Sequence, residues 1–217
     1  MEKRRPTPRG SRGPYPFFGE ALVVIAMAKI IQRLTVLCWA ATLTAALFYR
    51  QTSSGLLLSL AITFGTTSYH LTMRLAVGGL ANLTLKNQVD YHLAWFRPRA
   101  FEGPLYEALR VKKWKGKLPS YNPSLFSLQA HSLEEIAQAM CQAELVHEAI
   151  VLLSFLPLTM TPVFGAMPVF LLTSLAAACF DTLFVLMQRY NRPRILALLE
   201  RRQARTAHRT LNRRTLQ

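Results

Sequence analysis

Acidic residues are scarce in this chain. Eleven Asp and Glu stand against 26 Lys and Arg in 217 residues, for a formal net charge of +15. Charged residues of both signs reach only 17% while 51% are hydrophobic, against ~25% charged in a soluble domain. The apolar content excludes a disordered basic tail, which would lack it. The low charge density argues against a nucleic-acid partner, because that basic excess normally sits on a charged soluble fold. Cys38, Cys141 and Cys179 are odd in number and far apart, so neither a disulfide framework nor a thiolate zinc site follows. There is no internal repeat and no G-x-G-x-x-G or G-x-x-x-x-G-K fingerprint. The remaining class is an all-α polytopic membrane protein.

The apolar runs predict four transmembrane helices, over residues 34–49, 56–77, 149–163 and 166–187. The last two come from one run, 149–187, whose single charged side chain is Asp181. At ~20 residues per crossing that run fits two passes, and Pro162, Gly165 and Pro168 mark the turn. The apolar stretch 21–28 follows a basic start but lacks a small-x-small cleavage site, so it reads as an interfacial helix or a lengthened first span rather than a signal peptide. Basic residues crowd the N-terminus, the segment between spans two and three, and the chain beyond Arg189. The positive-inside rule then places both termini and the central segment in the cytoplasm. The expected organisation is a disordered basic stretch 1–16, one membrane domain 17–200 with a cytoplasmic segment 78–148, and a basic tail 201–217 on anionic lipid. Within the segment, Ser132-Leu133-Glu134-Glu135 has the pattern of a capping box, opening a helix that continues through Glu144 and His147 into the third span.

Ionisable groups at bilayer depth are costly and ask for a reason. Thr63, Thr67, His70 and Arg74 share one helical stripe of span two, and Asp181 shares a face with Gln188. His70 and Asp181 lie seven and six residues from the cytoplasmic ends of their spans, roughly 10 Å deep at 1.5 Å per residue. Asp181 reads either as an ion-pair partner of Arg74 or His70 inside a bundle, or as part of the chemistry. The Thr/His stripe reads first as helix-packing glue.

Glu144 and His147 stand three apart on one helix face, where a carboxylate can hold an imidazole in one tautomer. Such a pair serves either as a structural contact where the helix enters the membrane or as a general base acting on a hydroxyl. A di-iron bundle site needs a second Glu-x-x-His, and none exists. H-E-x-x-H fails because Val151 occupies its last position. No metal site is therefore expected. The run Arg110 to Lys117, with Lys112, Lys113, Trp114 and Lys115, reads as headgroup attraction or as a phosphate-reading surface for a diphosphate or phosphopantetheine donor. Gln188-Arg189-Tyr190-Asn191-Arg192-Pro193-Arg194 packs six donor-bearing side chains and a Pro stop into one helix end.

Three strings, Val111 to Pro119, Ala143 to His147 and Gln188 to Arg194, occur in an order and spacing similar to the glycosyl-4,4′-diaponeurosporenoate acyltransferase family of small bacterial multi-pass membrane proteins. The resemblance spans roughly residues 94–201, and Q-R-Y-N-R-P-R is its most distinctive part. Phe96-Arg97-Pro98-Arg99 looks like a sub-branch feature. Two positions depart: Glu148 replaces the Trp usual after the His, and Asp181 stands where an apolar residue is commoner. The resemblance implies transfer of a fatty acyl chain to a hydroxyl of a membrane glycolipid in the bacterial cell membrane. The donor would be a cytoplasmic thioester, acyl-CoA or acyl-carrier protein, with no further cofactor. His147, oriented by Glu144, would take the hydroxyl proton, and Arg189, Asn191 or Lys113 would steady the oxyanion or donor phosphate. Arg192, Arg97 and Arg99 would add to donor or acceptor binding. H-x-x-x-x-D, common in glycerolipid acyltransferases, is absent. The rival reading is a non-catalytic lipid-binding or assembly protein with a polybasic cytoplasmic face.

Overall fold

The computed structural model describes residues 17–118 and 123–215. The stretch 1–16, expected to be disordered, and Pro119 of the first family-like string lie outside the described residues.

Two helical hairpins build the molecule. The first joins α1 (Phe17–Thr52) to α2 (Gly55–Thr84) through Ser53, which takes a left-handed φ of 53°. The backbone of α1 runs without a break through residues 21–28, as a lengthened first helix. The two helices approach closely at Gly65, where a Cβ would sit 3.4 Å from Thr42 Cγ2. Trp39 Nε1 donates to Thr72 Oγ1 across the same seam at 3.0 Å.

The central segment is a string of short pieces. A 3₁₀ turn at Ala94–Phe96, α3 (Glu102–Ala108) and α4 (Val111–Trp114) follow one another. Arg110, left-handed at φ 51°, separates the last two. Gln142 fastens the end of α2, donating to Asn82 Oδ1 at 2.8 Å and accepting from the Asn87 amide at 2.7 Å.

The second hairpin starts at α5 (Leu133–Leu153). Its capping box is formed as expected: Glu135 N donates to Ser132 Oγ at 3.2 Å and Ser132 N to Glu135 Oε2 at 2.8 Å. A 3₁₀ stretch, Leu156–Met160, and α6 (Thr161–Phe164) lead to Gly165, whose φ of +63° caps the turn. From there α7 (Met167–Thr215) returns antiparallel to α5. Pro193 does not stop α7, which continues through it to Thr215. A proline removes one donor to the preceding turn, and here Arg189 and Arg192 anchor that turn from outside the helix.

Three helical stretches are long and apolar enough to cross a membrane: Lys29–Thr52, Leu133–Phe164 and Met167–His208. The expected span 56–77 lies within α2 but is less apolar, because its Ser/Thr stripe, His70 and Arg74 dilute it. The polarity of the bundle is inverted relative to a soluble protein. Leu37, Leu43, Leu56, Leu83, Leu152, Val163 and Leu172 are exposed, whereas Ser68, Gln142, Glu144, Ser174, Asp181 and Arg192 are buried. Contiguous exposed apolar surface on this scale marks a membrane protein rather than a soluble monomer.

Candidate active site

Buried carboxylates organise the interior at two levels of the second hairpin. Nearer the Gly165 turn stands Asp181 on α7, 1% exposed. Its Oδ1 lies 2.9 Å from His147 Nδ1 on α5, and its Oδ2 accepts from Arg74 Nε on α2 at 3.1 Å and also from Nη2. An ionised carboxylate only accepts, so the shared proton sits on Nδ1. The imidazole stacks on Phe184, rings 4.6 Å apart and 10° from parallel. Its Nε2 has no protein partner among the described residues. Arg74 also reaches the carbonyls of His70 and Ala177, both at 3.4 Å. His70 is buried with neither ring nitrogen bonded.

The second level is centred on Glu144, fully buried. Arg189 Nη1 donates to its Oε1 at 2.5 Å, and Arg192 Nη1 to its Oε2. Arg192 also donates to the Phe96 carbonyl at 2.8 Å and lies over that ring at 4.9 Å. Arg189 donates to Glu102 Oε1 from Nε at 2.9 Å and from Nη2 at 2.5 Å, and reaches the carbonyls of Trp95 and Arg97 at 3.3 Å. Tyr106 OH donates to Glu102 Oε2 at 2.9 Å, and burial together with that carboxylate pushes the phenol pKa well above its ordinary value. Thus α7 and the central segment are tied to α5 through one carboxylate.

The expected Glu144–His147 pair does not form. Both Glu144 oxygens are taken by arginines, and the imidazole turns to Asp181 instead. Three residues along α5 bring the two side chains to one face, but they meet α7 at different levels of its antiparallel course. Of the two partners considered for Asp181, Arg74 is the one that binds it; His70 does not.

The basic strings divide. Lys115 donates to Asn191 Oδ1 and lies 4.7 Å from the Tyr190 ring, with Arg194 on the same ring at 3.9 Å. Burial, then Arg194 nearby, lowers the Lys115 pKa. Trp114 Nε1 donates to the Leu109 carbonyl at 2.9 Å, and Gln188 is buried. Lys112, Lys113, Arg97 and Arg99 are exposed, and none forms an ion pair with a described carboxylate. A cleft of about 230 Å³ opens between the central segment and the hairpin, lined by Trp95, Arg99, Glu102, Tyr106, Glu148 and Arg189 among others.

Sequence reasoning passed over Glu102, which shares Arg189 with Glu144, and Trp95, whose Nε1 donates to Glu148 Oε2 at 2.9 Å. The available signal was weak: an acidic residue four before a tyrosine, Glu102 and Tyr106, in a strongly basic segment.

No curated protein and no solved structure matches the chain. Residues 92–201, which contain α3, α4, α5, both carboxylate centres' α5 and α7 residues and the Q-R-Y-N-R-P-R string, match the family model described as glycosyl-4,4′-diaponeurosporenoate acyltransferase. With half of its length inside that match and a membrane-type helical architecture around it, the chain belongs to the glycosyl-4,4′-diaponeurosporenoate acyltransferase family.

Proposed function

We propose that the protein moves a fatty acyl chain from a cytoplasmic thioester, acyl-CoA or acyl-carrier protein, to a hydroxyl of a membrane glycolipid. His147 is the general base and Asp181 its orienting carboxylate. The observation that carries this reading is the 2.9 Å contact between His147 Nδ1 and Asp181 Oδ1, which leaves Nε2 to receive a proton. A carboxylate on one ring nitrogen selects the tautomer and stabilises the imidazolium that forms. In the proposed step Nε2 takes the acceptor hydroxyl's proton as the oxygen attacks the thioester carbonyl. The C–O ester bond forms, the C–S bond breaks, and the proton passes to the departing thiolate.

In this reading Glu144 and Arg192 serve architecture, as their mutual ion pair and the Arg192 bond to the Phe96 carbonyl support. Arg189 has its donors engaged by two carboxylates and two carbonyls, so an oxyanion role for it is not supported. Asn191 accepts from Lys115 through Oδ1, which orients its amide and leaves Nδ2 as a donor toward an oxyanion. Lys112 and Lys113 remain open to donor phosphates.

The proposed topology has four crossings with both termini cytoplasmic. The Ser/Thr side chains of α2 support its place as the second crossing. Thr63, Thr66, Thr67 and Ser68 each donate to the carbonyl four residues earlier at 2.7–2.8 Å, so their polarity is satisfied within the helix, as a bilayer requires.

The unpaired surface cations favour a second reading, a non-catalytic lipid-binding or assembly protein. Lipid mass spectrometry of cells with and without the gene decides between them. The acyltransferase reading expects one lipid to differ by an acyl mass and His147→Ala to abolish that difference; an unchanged lipid profile, or full acylation by His147→Ala, sinks it.

A further inference from the structure

The cleft beside the hairpin has an electrostatic character unlike the rest of the cytoplasmic surface. Its walls are apolar and aromatic, from Trp95, Phe101, Leu105 and Leu186, and Trp95 and Phe101 are 53% and 59% exposed. Its charges balance. Arg189 and Arg192 together are neutralised by Glu102 and Glu144, which leaves Arg99 and Glu148 as the remaining guanidinium and carboxylate of the lining. Glu148 accepts from Trp95 Nε1 through Oε2, and no described protein group donates to its Oε1. Arg99 lies 5.9 Å from the Trp95 ring.

This combination discriminates among ligand chemistries. A phosphate would meet the Glu148 carboxylate, whereas the cations at Lys112 and Lys113 carry no such penalty. A plain acyl chain would strip water from that carboxylate with nothing to replace it. A neutral ring with hydroxyl donors satisfies both needs, its apolar face on Trp95 and its hydroxyls on Glu148 Oε1 and Arg99. About 230 Å³ corresponds to roughly eight waters at ~30 Å³ each, room for one sugar ring.

We infer that this cleft is the subsite for one sugar ring of a membrane glycolipid's head group, with Glu148 and Arg99 reading its hydroxyls. The inference rests on the glycolipid acyltransferase reading above and deepens it. Glu148 follows His147 directly on α5, so a sugar held in the cleft lies level with the base along that helix, on the adjoining face about 100° round at 3.6 residues per turn.

The test is a binding measurement on the full chain in phosphatidylglycerol nanodiscs, with W39F and W114F leaving Trp95 as the fluorescent reporter. Monoglucosyl diacylglycerol is expected to give a saturable change that diacylglycerol of the same chains and added phosphatidylglycerol do not. Glu148→Ala should shift its midpoint on the order of 10-fold, as loss of a hydrogen bond to a charged group does, and Glu148→Gln, which keeps an acceptor, by less. Arg99→Ala, at an exposed position, provides the same test if Glu148→Ala unfolds. No saturable change, an equal response to phosphatidylglycerol, or midpoints indifferent to both substitutions overturns the subsite. Acyl-product formation by the unsubstituted chain in the same nanodiscs separates the two ideas. Saturable binding without product leaves the cleft standing and removes the reaction; product formation without saturable binding does the reverse.

Discussion

Asp181 and Glu144 are both buried carboxylates, each holding two nitrogen-bearing partners, yet they are suited to different work. Glu144 binds two guanidiniums, which stay charged under all relevant conditions, and its arginines reach on to Phe96, Trp95, Arg97 and Glu102. Every contact there ties one segment to another. Asp181 binds one guanidinium and one imidazole, and the imidazole's remaining nitrogen is unengaged. A centre made only of permanent charges can hold a shape; one that includes a titratable ring with an open nitrogen can also move a proton. The same side-chain chemistry thus yields, by the choice of partners, one centre of fixed charges and one with a titratable ring.

The comparison breaks most sharply at Glu144. Glu144→Ala leaves Arg192, 2% exposed, as a buried charge without its carboxylate, and unpairing of that kind costs about 3–5 kcal/mol. The expected outcome is loss of the folded protein or a large drop in Tm, read by thermal unfolding in nanodiscs. His147→Gln should behave oppositely: acyl product falls by about 10²–10⁴-fold, the usual worth of a general base, while the thermal transition stays close to the parent's. Asp181→Asn keeps the side-chain shape but can present an amide to Nδ1, and an expected loss of up to about 10⁴-fold in rate reports the lost orientation. If Asp181→Asn lowers only stability and leaves the rate per folded molecule unchanged, Asp181 is scaffold like Glu144. Smallest is neutralisation of the surface pair, Lys112→Gln with Lys113→Gln. At ~1 kcal/mol per basic residue near an anionic surface, apparent donor or membrane affinity should weaken about 10- to 30-fold, with a weaker salt dependence and an unaltered Tm.

Local features were legible in the chain. The Ser132/Glu135 capping box depends on residues within one turn, and it forms as its pattern predicts. The hairpin turn at Gly165 follows from Pro and Gly interrupting an apolar run too long for one crossing. The basic-string residues Lys115, Tyr190, Asn191 and Arg194 do meet, across 76 residues for Lys115 and Asn191, though neither string says what the other touches. Pro193 reads as a helix stop because its local cost is real, but contacts made by the preceding turn carry α7 past it. The importance of Glu102 was not legible, since an isolated Glu becomes a buried ligand for Arg189 only when the short helix α3 docks on α7.

By itself the sequence determined the helical membrane character, the turn between the last two long helices and the polar residues from which the candidate site is drawn. These depend on hydropathy and on neighbours within a turn. Tertiary structure alone decided which carboxylate serves His147. Helical spacing says which side chains share a face, but partners across a hairpin follow from its register, and that register sets Glu144 against Arg189 and Arg192 while bringing His147 to Asp181.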